Sequence, residues 1–172
     1  MNQESHQVPK NNRKDLGKTV SRCDLKQVIL FFSFLIFVSL DLLYLKIDVG
    51  LNLEMKWYYR LVISLPLFII GIIIAKKSMV IMYYEVRSPP VVVDWGPFRY
   101  SRHPMYLSAL LFYFGITVFS FSVVGIIYYL FIYGFYGYLA HFEENHLISQ
   151  YQEAYVDYKK QVLKWIDFRH FS

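Results

Sequence analysis

Long uncharged stretches alternate along this chain with short segments that hold nearly all of its charge. The first apolar run covers about 28–45 and contains a single acid, Asp41, near its outer end. The second opens behind an aromatic trio, Trp57-Tyr58-Tyr59, and passes through Pro66, which predicts a kink, to Ala75. At ~1.5 Å per residue that run is too short for a ~30 Å hydrocarbon core. The helix is therefore expected to continue past Lys76 and Lys77, making a span of about 61–84. From Tyr106 to Ala140 no residue is charged. One straight helix of that length would reach about 52 Å, so a hairpin is predicted instead. Its spans cover about 104–119 and 123–140, with the turn at Ser120-Phe121-Ser122. Beyond it, Leu147, Tyr151, Tyr155, Tyr158 and Val162 recur every three or four residues, the mark of one apolar helix face. This predicts an amphipathic helix over about 141–164, lying along the membrane surface. The pattern therefore predicts an all-α integral membrane protein, with about four transmembrane helices and an amphipathic C-terminal helix after the hairpin.

Composition supports this and narrows the partners. Of 172 residues, 56% are hydrophobic and 20% aromatic, which excludes an ordinary soluble protein. One membrane domain, 27–172, is expected behind a polar, basic tail, 1–26, whose last part, from Leu16 to Gln27, can lie on the membrane as a short helix. Asp41 stands about one turn from Lys46, so it is expected at the membrane interface. The net charge of +5 is spread beside the apolar runs, which points to anionic lipid headgroups as partners and not to nucleic acid. Lys and Arg number six in the tail, five in 76–102 and four at the C-terminus, against three in 46–60 and none in the hairpin turn. A multi-pass protein with both termini in the cytoplasm satisfies that bias, and a bacterial inner membrane is the expected location. Cys23 stands alone, which excludes an internal disulfide and a thiolate metal site. Gly115, Gly125, Gly134 and Gly137 are expected to let the hairpin helices pack closely.

The candidate chemistry sits at the mouth of the hairpin. Gly96-Pro97-Phe98-Arg99-Tyr100-Ser101-Arg102-His103-Pro104-Met105-Tyr106 gathers cations and rings immediately before an uncharged helix. Pro104 suits the first helical turn and His103 its cap. The topology puts Arg102, His103 and Tyr106 at the same end as His141, Glu143, Glu144 and His146. Neighbouring helices lie ~8–10 Å apart, so the two sets can face one cavity suited to a zwitterionic, aromatic cofactor. No metal is expected: His103, His141 and Glu144 are possible ligands, but no H-E-x-x-H spacing occurs. Adjacent carboxylates on a helix point about 100° apart, which suits glycoside hydrolysis poorly. No G-x-S-x-G elbow, P-loop or G-x-G-x-x-G is present. Spacing alone leaves a blander alternative open, with Arg102 and His103 as headgroup anchors and Glu143-Glu144 as a solvated helix face.

The segment GPFRYSRHPMYLS, followed by Glu143-Glu144-x-x-Leu147 and then Tyr151, Tyr155 and Tyr158, resembles the isoprenylcysteine carboxyl methyltransferase family, whose wider relatives include phospholipid N-methyltransferases. The resemblance covers roughly residues 60–165. It implies an integral membrane enzyme without a Rossmann fold, transferring a methyl group from S-adenosylmethionine to a lipophilic acceptor that enters from the bilayer. It implies that Pro90, Val91, Val92 and Val93 line the cofactor site and that Phe98 lies near the cofactor. His103, Pro104, Met105 and Tyr106 match the cofactor-binding tetrapeptide, and Glu143 matches the acid that closes the pocket. No catalytic residue is assigned; His141 or Glu144 is a candidate to take a proton from an amine or hydroxyl acceptor. Leu139 stands where carboxyl methyltransferases carry an arginine associated with the acceptor, so an isoprenylcysteine-type carboxylate and a lipid amine or hydroxyl both remain open. Tyr151-Gln152 replaces the usual Phe-Gly, and Val162-Leu163 the closing Val-Pro. Two other classes share the scaffold's features: an NADPH-dependent membrane sterol or steroid reductase, and a non-catalytic membrane protein.

Overall fold

The computed structural model describes residues 16–45, 56–84 and 92–166, and all of its regular structure there is helical. Helix α1, Leu16–Leu40, ends in one π-helical turn, Asp41–Leu45. Helix α2 is Trp57–Tyr84, with Pro66 inside it. A 3₁₀ turn, Gly96–Arg99, leads to α3, Pro104–Ser120, then α4, Val123–Tyr151, and the short α5, Glu153–Gln161. The tail before Leu16 and the implied cofactor residues Pro90 and Val91 lie outside the described residues.

Among the described residues, three stretches are long and apolar enough to cross a membrane, Leu25–Tyr44, Trp57–Met82 and Val123–Tyr151, while Pro104–Ser120 is a shorter apolar helix. The helix from Leu16 runs without a break into the first of these stretches. The hairpin turns at Phe121, which takes a left-handed conformation at φ 54°, and Ser122 then caps α4 by accepting from Gly125 N at 2.9 Å. Past Ala140 the expected change of helix does not occur. α4 continues to Tyr151, because nothing between Ala140 and Tyr151 disfavours helix, and the break falls at Gln152. From Val123 to Glu143 is ~30 Å of helix, about one hydrocarbon thickness, which carries Glu143 and Glu144 to the level where α3 begins.

The core lies between α1, α3 and α4, where Phe34, Leu110, Tyr113, Ile132 and Tyr136 are buried. Helix α2 packs along the other side of α3, the most extensive helix contact. A Cβ at Gly115 would stand 2.7 Å from the Phe68 ring, so glycine here lets that ring lie close against α3. A Cβ added at Gly134 or Gly137 would meet nothing within 4 Å, so these two glycines do not serve helix packing as expected. Large apolar side chains on the outer faces of α1, α2 and α4 stay exposed, the surface a lipid environment would cover.

Asp41 departs from expectation. It is fully buried, not interfacial, and accepts a hydrogen bond from the Ser122 hydroxyl at the hairpin turn. The π turn that begins at Asp41 ends α1 against that turn, and Arg60 lies over the neighbouring Phe121 ring at 5.3 Å.

Candidate functional site

At the other end of the hairpin, Ser101, Arg102 and His103 lead into α3, and His103 stands at its N-cap with Pro104 as the first helical residue. Pro104 needs no backbone N–H there, and His103 is free to turn its ring toward α4. The loop is held by the returning C-terminal segment. Arg102 N donates to Leu163 O at 3.1 Å, Ser101 Oγ donates to Lys164 O at 3.1 Å, and Tyr158 Oη donates to Phe98 O at 2.6 Å.

The two motif halves meet. His103 Nε2 lies 3.2 Å from Glu144 Oε1, and His103 Nδ1 lies 3.3 Å from Glu143 Oε2. Each ring nitrogen thus faces a carboxylate oxygen, an arrangement that favours a proton on both and so the imidazolium form. Burial pushes the His103 pKa down, but the hydrogen bonds and charges of Glu143 and Glu144 together outweigh it and hold the pKa above its ordinary value.

The two acids differ sharply in setting. Glu144, 1% exposed, is the hub: Arg102 Nη2 reaches it at 3.1 Å and Lys159 Nζ at 2.9 Å, besides His103. Glu143 keeps 43% of its side chain exposed and is the carboxylate a ligand can meet. Lys159 carries no signal in the sequence, where the periodicity places it away from the apolar face of its helix. Only the chain's return after Gln152 brings it to Glu144. Trp165 is equally silent in sequence, and it packs with Tyr133 at 5.7 Å and His103 at 6.5 Å.

Around the charges stands an aromatic wall. His103 stacks on Tyr106 at 5.6 Å with the planes 7° apart, and Tyr106 meets Tyr136 at 5.3 Å. Leu139, one turn before Glu143, packs into this wall and presents a hydrocarbon where a guanidinium would favour a carboxylate acceptor. Of the remaining expected residues, Pro104 is buried, Met105, Phe98 and Val93 are half-buried, and Val92 packs with the Tyr155–Tyr158–Val162 cluster. Val92 also lines a cleft of about 550 Å³ with Asp94, Tyr151, Asp157 and Tyr158. His141 and His146 are exposed on α4, and His141 reaches only Asn145, at 3.4 Å. The structure therefore does not bring His141 to the His103 ring, and leaves Glu144 fully engaged. Among the described residues no group of three His, Cys, Asp or Glu is placed to hold a metal ion.

Among the described residues, two buried donors in this cluster have no partner: Arg102 Nε and Tyr155 Oη. Burial first, and the Glu144 charge after it, push the Tyr155 hydroxyl well above the ordinary tyrosine range, so it stays protonated. A bound group with acceptor oxygens suits this donor set.

The sequence model of one family, described as phospholipid methyltransferase, matches residues 59–154. The match begins at the start of α2 and ends at the start of α5, so it includes both motif halves. Comparison with curated proteins and with solved structures returns no match.

Proposed function

The chain belongs to the phospholipid methyltransferase family of integral membrane methyltransferases, and from that premise we propose that it transfers a methyl group from S-adenosylmethionine to a lipid amine. The observation that carries this reading is the meeting of Arg102 and His103 with Glu143 and Glu144 at the mouth of one hairpin. The residues present fit the cofactor by their chemistry. Unpartnered donors suit its carboxylate, the accessible Glu143 suits its ammonium, and the rings of Tyr106 and Trp165 suit a sulfonium. Val92, Val93, Phe98, His103, Pro104, Met105, Tyr106 and Glu143 are the residues that would hold it, facing the cytoplasm.

When bound, the cofactor supplies a methyl group already activated on a positively charged sulfur. The protein's task is then alignment and exclusion of water. An amine acceptor reacts only through its lone pair, so an incoming lipid ammonium must first lose a proton. Glu144 is engaged by three cations, the imidazolium of His103 has no free nitrogen and Glu143 is given to the cofactor's ammonium, so that proton is lost to water before the amine meets the sulfonium. His103 holds the Glu143 carboxylate in position from Nδ1. Leu139 beside Glu143 favours a cationic or neutral acceptor over a carboxylate, whose negative charge would meet Glu143 without a compensating cation. The family match favours methyl transfer over the hydride transfer of a sterol-type reductase.

Calorimetric titration of detergent-purified protein with S-adenosylhomocysteine tests the reading. Wild type is expected to bind, and Glu143→Ala and His103→Ala to bind at least tenfold more weakly, about 1.4 kcal/mol. A folded wild type that does not bind sinks it. Methylation of vesicles containing an amine headgroup, set beside vesicles of a choline headgroup only, then tests the acceptor.

A further inference from the structure

Tyr155 and Lys159 lie one turn apart on α5, just beyond the stretch matched by the family. Arg102 reaches this helix from the loop: its Nη1 donates to Lys159 O at 3.3 Å while Nη2 pairs with Glu144. That leaves its Nε–H inside the protein with no acceptor among the described residues, and the same is true of the Tyr155 hydroxyl, on a residue only 3% exposed. Buried donors without acceptors are uncommon and point to a partner that arrives from outside. Charge counting says what kind. Arg102, Lys159 and the His103 imidazolium are three cations facing two carboxylates, Glu143 and Glu144, so the cluster carries one positive charge in excess. A singly charged anion with two acceptor oxygens satisfies both the orphaned donors and the excess charge.

We propose that Arg102 Nε–H and Tyr155 Oη–H form the seat of the α-carboxylate at the amino-acid end of the cofactor, an inference that rests on the methyltransferase reading above. The planar guanidinium edge and the phenol each offer one hydrogen bond, and a carboxylate offers one oxygen to each. Tyr155 is carried by α5, which joins α4 at the Gln152 break. Burial holds the phenol in its protonated, donating form.

The test is Tyr155→Phe, which removes the hydroxyl and keeps the ring. Two ligands are titrated by calorimetry into wild type and variant: S-adenosylhomocysteine, and 5′-methylthioadenosine, which lacks the amino-acid end. The variant is expected to lose about tenfold or more in affinity for S-adenosylhomocysteine and none for methylthioadenosine, since a hydrogen bond to a charged group is among the stronger ones. Ligand-free Tm should stay level or rise, because the deleted hydroxyl has no partner to lose. Unchanged S-adenosylhomocysteine affinity in the variant, an equal loss for both ligands, or a lower ligand-free Tm each overturns the seat while leaving the cofactor reading intact. A folded wild type that binds neither ligand overturns both.

Discussion

His103 shows how much one residue's surroundings decide. In isolation an imidazole is a general base near neutral pH, but here a carboxylate faces each nitrogen and the ring works as a fixed cation. A raised pKa means the folded chain holds this proton more tightly than the unfolded one. The resulting stabilisation is fully present below the ordinary value of 6.5 and is lost as pH climbs through the higher folded-state pKa. Thermal unfolding of wild type and His103→Gln, followed from about pH 6 to about pH 9, should therefore show a Tm gap that narrows with rising pH. A gap of constant size would refute the clamped imidazolium. That His103 belongs to the site was legible in Arg102-His103-Pro104. Which acid is accessible was not, because Glu143 and Glu144 are neighbours in sequence and only the packing of α4 turns one inward.

Among the elements, the break between α4 and α5 is the least comfortable. Gln152 sits at φ 49° and ψ −126°, a region glycine enters freely and side chains with a Cβ enter only under strain. The departure from a Phe-Gly pattern is visible in Tyr151-Gln152, but its consequence emerges only when the backbone angle is known. Such strain costs of order 1–3 kcal/mol, and glycine's extra freedom in the unfolded chain offsets part of its relief. Gln152→Gly is expected to stabilise the protein by about 1 kcal/mol in reversible unfolding. Destabilisation by that substitution would mean that the angle is not the source of the strain. The elements themselves were readable, since continuous apolar runs specify spans and the Ser120-Phe121-Ser122 turn interrupts the longest one. The end of α4 was not, because the helix carries on through polar residues that favour it as much as the apolar ones do.

Across the whole molecule, the hairpin is tied at both ends. At one end is the Glu144 hub, and at the other Asp41 of the first span meets Ser122 of the turn. Ser122 serves twice, as the cap of α4 and as the donor to a fully buried side chain whose other oxygen has no partner among the described residues. Ser122→Ala removes both roles and is expected to cost about 2–4 kcal/mol in unfolding experiments. Asp41→Asn should cost less, because an amide oxygen still accepts from Ser122. A Ser122→Ala variant as stable as wild type would show that this end of the bundle is held by apolar packing alone.

By itself, the sequence determined the membrane class, the hairpin with its turn, and the pairing of an Arg-His segment with a Glu-Glu segment. Those features are local, or follow from where a helix of known rise must end. The tertiary structure alone decided that Asp41 is buried, that Glu144 gathers three cations while Glu143 stays open, and that Lys159 and Trp165 join the site. Each depends on which side of a helix meets its neighbour and on where the chain returns after Gln152. A rotation of about 100° per residue makes the first unreadable from spacing, and the second is set by one backbone angle.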